Sequence, residues 1–271
     1  MKRESVIGVE TAAAYAGTFA PDEQLALGDL LPPAWEGVYF PFAVPLADLR
    51  ADGTPARDGV IPEIDLPRRM YAGEDTEFLS ELRLGDTVTQ ETRLGEVTEK
   101  NGRGGRLMFV DIVREYSVDG GCAIRSTWHD VFLEQADPSV PAREPKRDTD
   151  AASNADWIDE VRLDIRQLFR FSALTFNTHL VHYDRAWAQQ QEGLPDLLVH
   201  GPLTRILLMD SARRHRPDAR PTSLSVRAVA PTLVDRRVRI AGTAAADVTS
   251  ITALDDDDVV LATAEISWST A

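Results

Sequence analysis

Two separate stretches of this chain, residues 82–116 and 231–268, run through the same succession of features. The first holds Leu82-Arg83-Leu84-Gly85-Asp86-Thr87-Val88, a run at 92–99, a polar turn at 101–105 and an apolar run at 107–116. The second holds Pro231-Thr232-Leu233-Val234-Asp235-Arg236-Arg237-Val238, a run at 244–254, an acidic turn at 255–258 and a run at 259–268. In each, a turn carrying an Asp leads into long strands joined by a polar hairpin tip. Val110, Ile112 and Tyr116 keep alternate positions apolar, as do Val260, Ala262, Ala264 and Ile266. A period of two places each set on one face of a sheet. The repeated plan points to an internal duplication, which restricts the fold more than any single motif does.

Between the repeats, residues 136–154 (ADPSVPAREPKRDTDAASN) lack large apolar side chains and have a linker's composition. This divides the 271 residues into halves at 1–135 and 155–271 around a linker at 136–154. Each half is of ordinary domain size. In the second half, Pro202 after His200-Gly201 is a helix-start signal, and Arg213, Arg214 and His215 complement the negative end of the helix. Leu203, Ile206, Leu207 and Asp210 share one face of it, so an amphipathic helix is expected. The first half offers residues 30–47, where prolines at 32, 33, 41 and 45 forbid a long regular helix. One good helix and one degenerate one, each followed by antiparallel strands, is an α+β pattern.

With 43% hydrophobic residues the chain can bury a large core, and no apolar run reaches the 18–20 residues or so needed to span a bilayer. The segment after Met1-Lys2-Arg3 is too short for a secretory leader, and one cysteine, Cys122, permits no intrachain disulfide. A cytoplasmic protein is expected. A formal net charge of −15 argues against nucleic acid and anionic lipid as partners, and repels anionic ligands unless basic residues gather locally.

The stretch 171–188, FSALTFNTHLVHYDRAWA, with His200-Gly201-Pro202 downstream, resembles the MaoC-like (R)-specific enoyl-CoA hydratases. Thr175 stands at that motif's Ser/Thr, His182 at its His, Asp184 at its trailing Asp, and His200-Gly201 at its His-Gly. Phe176 replaces its Gly, Asn177 its catalytic Asp, and His179-Leu180 its Asn-Pro. These departures, with Arg68-Arg69-Met70-Tyr71-Ala72-Gly73, look like one subgroup of mesaconyl-CoA (3-methylfumaryl-CoA) hydratases, itaconyl-CoA hydratases and 3-hydroxyacyl thioester dehydratases. The resemblance covers nearly the whole chain. It implies an α+β double hotdog, two antiparallel sheets each wrapped on a helix, with the N-terminal half degenerate and one working site per chain. It also implies a coenzyme A thioester as substrate and no cofactor. A homodimer is a compatible assembly.

The chemistry can be argued from the residues. Adding water to an unsaturated thioester needs a base for water, donors for the enolate oxygen and a proton for Cα. His182 is the sensible base, because imidazole titrates nearest neutral pH. Asn177 cannot take a proton but can orient the water. Gly201 at a helix N-terminus offers backbone N–H groups to an oxyanion and lets the thioester approach closely. Asp184 either fixes the His182 tautomer or caps the helix that follows, and capping is the preferred reading. His179 either lines the pocket or faces solvent. His179-x-x-His182 with His200 also permits a zinc reading, disfavoured because no carboxylate- or Cys-rich cluster accompanies it. Tyr71, Gly73 and His200 complete the candidate substrate wall. Arg68 and Arg69 serve CoA phosphates or an acyl carboxylate, or are ordinary strand-surface arginines, and Arg170 stands likewise. His129 and His215 are read as structural. Four possibilities frame the function: hydration of a short branched or dicarboxylic acyl-CoA, dehydration of a 3-hydroxyacyl group on acyl carrier protein, thioester hydrolysis, and acyl-CoA binding without catalysis. The lack of a carboxylate at 177 weighs against hydrolysis.

Overall fold

The computed structural model of the chain describes residues 1–55, 59–102, 105–135 and 144–269. The first half contributes strands β1 (Lys2–Val6), β2 (Arg68–Phe78), β3 (Thr87–Gly102), β4 (Gly105–Val118) and β5 (Gly121–Leu133), with helix α1 (Val9–Phe19). The second contributes β6 (Trp157–Arg162), β7 (Arg220–Ala228), β8 (Arg237–Ala244), β9 (Val248–Leu254) and β10 (Val260–Ser269). Its helices are α2 (Ile165–Thr175), α3 (Arg185–Gln190) and α4 (Gly201–His215).

The ten strands of the described residues form one sheet in the order β1-β3-β4-β5-β2-β7-β10-β9-β8-β6. The order reads the same from either edge once each strand is replaced by its counterpart. The halves meet where β2 pairs antiparallel with β7, from Gly73↔Arg227 to Glu77↔Ser223. Alternation behaves as expected: Val110 and Ile112 on β4, and Val260, Ala262, Ala264 and Ile266 on β10, are all buried.

The hydrogen bonds carry the duplication further than the strands do. Gly85 N–H donates to the Ile7 carbonyl at 2.9 Å, and Asp235 N–H to Leu163 at 2.8 Å. Both donors have positive φ, 103° and 58°. Leu31 N–H donates to the Leu82 carbonyl and Val199 N–H to that of Thr232, each at 2.8 Å. Leu31 therefore corresponds to Val199, and the next residues, Pro32-Pro33, take the place of His200-Gly201. A proline has no N–H to offer and holds φ near −65°. After that pair the first half manages only a 3₁₀ turn at Trp35–Val38, the short, distorted helix its prolines predict.

The expected amphipathic face of α4 is corrected. Arg205, Leu208, Ser211 and Ala212 are buried as well as Leu203 and Ile206. The sheet covers one side of the helix and the first half covers what would otherwise be its solvent side. The Trp35 indole donates to Asp210 at 2.9 Å, and Arg205 donates to Glu36 at 2.6 Å and to the Thr76 hydroxyl at 2.8 Å.

The acidic turn at 255–258 is a solvated hairpin tip, with Asp256 and Asp257 exposed, where Arg237 donates to Asp256 and Arg239 to Asp258. Positions 103–104 of the first hairpin tip lie outside the described residues, as do 136–143 of the linker. Its later part is in contact with that acidic turn: Val260 N–H donates to the Lys146 carbonyl at 2.8 Å, and Asp148 N–H to Asp258 at 2.9 Å.

Candidate active site

Helix α2 opens on a capping box, in which the Asp164 carboxylate accepts from Gln167 N–H and the Gln167 side chain answers Asp164 N–H. It ends at Phe176, which adopts the left-handed conformation (φ 51°, ψ 39°). Glycine reaches that conformation freely, and another residue costs about 1–2 kcal/mol there. Asn177 N–H then returns to the Ser172 carbonyl at 2.8 Å, closing a Schellman turn that aims the segment 177–182 across the sheet. Asn177 Oδ1 accepts from His179 N–H at 3.0 Å, which fixes the amide and leaves its NH₂ group as the donor.

His182 sits on a short 3₁₀ turn, Leu180–His182. Its Nδ1 lies 2.8 Å from the Leu198 carbonyl. A carbonyl only accepts, so Nδ1 carries the proton and Nε2 is left with a free lone pair. The ring stacks on His200 with centroids 3.6 Å apart, and meets His179 edge-on at 5.4 Å. His200 is completely buried, with Nε2 at 2.8 Å from the Ser172 hydroxyl. It thus braces the His182 ring from behind, and Gly201 follows it at the N-terminus of α4. Burial pushes the His182 imidazole down to about 3, helped by His179 and opposed by the Leu198 hydrogen bond. Burial does the same to His179, to about 3, with Arg69 and Arg50 adding to the effect. His200 is also lowered, by burial first and then by His182 and His179. All three rings are neutral at physiological pH.

These groups open on a cavity of about 390 Å³ between the two halves. From the second half it is lined by Asn177, His179, His182 and Gly201, and from the first by Pro55, Arg69, Tyr71 and Trp128. Tyr71 packs on Gly201 so closely that a Cβ there would overlap its ring. Its hydroxyl is buried without a partner, and burial, with Glu74 nearby, keeps the phenol protonated.

Four of the candidates stand back from the cavity. Arg68 is tied to Glu192, donating to its carboxylate at 2.8 Å and its carbonyl at 3.1 Å. Arg170 lies exposed on α2 and contacts the Thr18 hydroxyl. Gly73 sits at the β2 bulge against the Val226 carbonyl, where a Cβ has no room. His200 is behind His182 rather than beside the substrate space. Asp184 caps α3, accepting from Trp187 N–H at 3.0 Å. His129 bridges Asp111 and Asp75 on the sheet, and His215 stacks on Trp157. The zinc alternative does not fit the rings, since His182 Nδ1 and His200 Nε2 face Leu198 and Ser172 and the stacked planes do not converge on one point.

Two features escaped the sequence reading. Asp130 accepts from Arg69 at 2.6 and 2.8 Å on one oxygen and from the Trp128 indole at 2.7 Å on the other. The loop around 50–55 clamps the segment 177–182: Leu180 N–H donates to the Asp52 carbonyl at 2.8 Å, and the Thr178 hydroxyl to Gly53 at 2.6 Å. Asp52-Gly53 is a recognisable turn signal, but nothing local in it names Thr178 as the partner.

The profile of a family described as hydroxyacyl-thioester dehydratase type 2 matches residues 34–234. The chain belongs to this family. It is accordingly a hydro-lyase. Among relatives, mesaconyl-C(4)-CoA hydratase of Chloroflexus aurantiacus is 40% identical over 231 residues, covering 84% of this chain and 80% of that one. HtdX of Mycobacterium tuberculosis superposes with a TM-score of 0.72 at 18% identity, over 98% of both chains. A double-hotdog protein of the same organism gives 0.62 at 14% identity, over 98% of this chain and 93% of its own. The hydratase's fold is thus a double hotdog. Among the described residues, no helix is long and apolar enough to cross a membrane.

Proposed function

We propose that this hydro-lyase reversibly adds water across the double bond of an α,β-unsaturated acyl-CoA with a short branched or dicarboxylic acyl group, such as mesaconyl-CoA. The observation that carries the reading is the His182 tautomer. Its Nδ1 is committed to Leu198, so Nε2 presents a lone pair to a cavity shared with Asn177 and the start of α4. Water accepts a hydrogen bond from the Asn177 amide and donates to His182 Nε2. As the new C–O bond forms at Cβ, Nε2 takes the proton and charge moves to the thioester oxygen. The Gly201 N–H, at the positive end of α4, faces that charge. The proton held on Nε2 is the one available to Cα, so H and OH both add and nothing is left over. Running backwards, the same groups dehydrate a 3-hydroxyacyl thioester. The 40% identity to a mesaconyl-C(4)-CoA hydratase supports the acyl group named.

Residues 1–135 serve in this reading as a closing half and 155–271 as the working half, with 136–154 the linker. Coenzyme A arrives as part of the substrate in the cytoplasm and no resident cofactor is required. Sedimentation of the purified chain distinguishes a monomer from a homodimer. The direct test incubates the protein with a panel of unsaturated acyl-CoAs and reads a mass gain of one water. Gain with none of them, on well-folded protein, overturns the proposal.

A further inference from the structure

The working site draws one hydrogen-bond donor from each half, and the duplicated positions have neither. β2 slips register with β5 between Tyr71 and Gly73, and β7 slips register with β10 between Pro221 and Ser223. Tyr71 therefore corresponds to Pro221, by the same duplication that sets Gly201 against Pro33. Tyr71 and Gly201 come from opposite halves, line one cavity and touch. The Gly201 N–H lies in the first turn of α4, so it has no acceptor within the helix. Of the counterparts, Pro33 has no N–H and Pro221 no hydroxyl. The two donors stand together beside His182, and are missing together from the copy that has no such histidine.

The Tyr71 hydroxyl is buried and, among the described residues, has no hydrogen-bond partner. The carboxylates whose charge acts on it are engaged elsewhere: Glu74 by Ser126 and Arg205, Asp130 by Arg69 and the Trp128 indole. An acceptor must therefore come from the cavity, or the hydroxyl is left desolvated. Burial keeps the phenol protonated, and so a donor. Ring carbon Cε1, next to the carbon bearing the hydroxyl, lies 2.9 Å from where a Gly201 Cβ would stand. One oxygen accepting from two donors at about 3 Å each bridges groups up to about 6 Å apart. We propose that Tyr71 is a catalytic residue whose hydroxyl donates to the thioester carbonyl oxygen beside the Gly201 N–H, so that the oxyanion hole is assembled from both halves. This rests on the hydratase reading above. As the C–O bond forms at Cβ, negative charge gathers on that oxygen and both hydrogen bonds strengthen. The phenol proton stays on Tyr71, and the proton for Cα still comes from His182.

Tyr71→Phe removes one oxygen and keeps the ring against Gly201. With each unsaturated acyl-CoA that wild type hydrates, kcat should fall about 10²–10³-fold, the effect of deleting one oxyanion donor, with KM little changed. The fall should be alike for every acyl group, because the thioester is common to all. Melting temperature should hold or rise, since the oxygen removed has no partner in the protein. A second readout needs no turnover. The saturated counterpart of a hydrated substrate (methylsuccinyl-CoA for mesaconyl-CoA), ¹³C-labelled at its thioester carbonyl, is bound and its C=O stretch recorded by difference infrared spectroscopy. Two donors lower that frequency in wild type, and Tyr71→Phe should lose part of the shift. Native kcat, an unmoved stretch, a loss confined to one acyl group, or a marked drop in melting temperature overturns the oxyanion role and leaves the hydratase standing. Hydration of no acyl-CoA by wild type removes both readings.

Discussion

In the proposed mechanism His182 is the base, and its surroundings keep the ring neutral and so free to accept a proton at physiological pH. Burial holds its imidazole neutral down to about pH 3, and the Leu198 carbonyl decides which nitrogen stays bare. Replacing it by Ala removes the only proton acceptor placed beside Asn177 in the proposed mechanism, so kcat should fall about 10²–10⁴-fold while the fold is kept. Near-native turnover in steady-state assays of that variant would remove His182 from the chemistry. The same burial has a signature in stability. His179 and His182 bind protons near pH 3 when folded and near 6.5 when unfolded, and His200 is shifted in the same direction. Below pH 6.5 the unfolded chain therefore holds more protons, and acid favours unfolding. The contribution is intact above 6.5 and is lost as pH falls, by up to about 1.4 kcal/mol per pH unit for each ring. Melting temperature should drop between pH 6.5 and 5, before most carboxylates titrate, and His179→Gln should flatten the slope. A flat profile in the wild type would contradict the three buried neutral rings.

The element that holds the segment 177–182 in place comes from the other half of the chain. Gly53, at φ 84°, brings the 50–55 loop so close to Thr178 that a Cβ would overlap its carbonyl oxygen. Gly53→Ala combines that clash with a left-handed backbone alanine dislikes, and should cost about 1–3 kcal/mol of stability. Since the segment it displaces carries Asn177 and His182, kcat should fall more than KM rises. Unchanged kinetics and melting in that variant would show that the clamp is dispensable. This loop also marks where sequence reading stops. Helix α4 was legible from Pro202 and the basic residues at its end, and the paired strands from alternation. The Asp164–Gln167 capping box was equally legible but α2 went unread, as did α1, which has no side-chain cap. The Gly53–Thr178 contact spans 125 residues, and a turn signal says nothing of what the turn will touch. Arg69 was readable as a binding candidate and Arg68 was not distinguishable from it, because only the β2 register assigns one to the cavity and the other to Glu192.

On the scale of the whole molecule, the halves are fastened by a buried charge as well as by the shared sheet. Arg205 on α4 donates to Glu36 of the first half and lies 3.5 Å from Glu74, which in turn accepts from Ser126. Arg205→Leu strands two carboxylates in the core, and should destabilise the protein by about 3–5 kcal/mol. Both halves should then unfold at lower denaturant in a single transition, as reported by Trp35 and Trp157 fluorescence. Separate transitions would mean that the halves are independent. The positions aligned by register, Pro32-Pro33 against His200-Gly201, have a consequence for how such an enzyme can change over time. In an assembly of two identical subunits, any substitution is made twice, so a residue that improves the wall opposite a reacting centre also alters the centre. Joined in one polypeptide, the two copies escape that bookkeeping. One can discard its reactive machinery and reshape the space facing the other, and a new acyl specificity can be acquired by mutation that never touches a reacting atom.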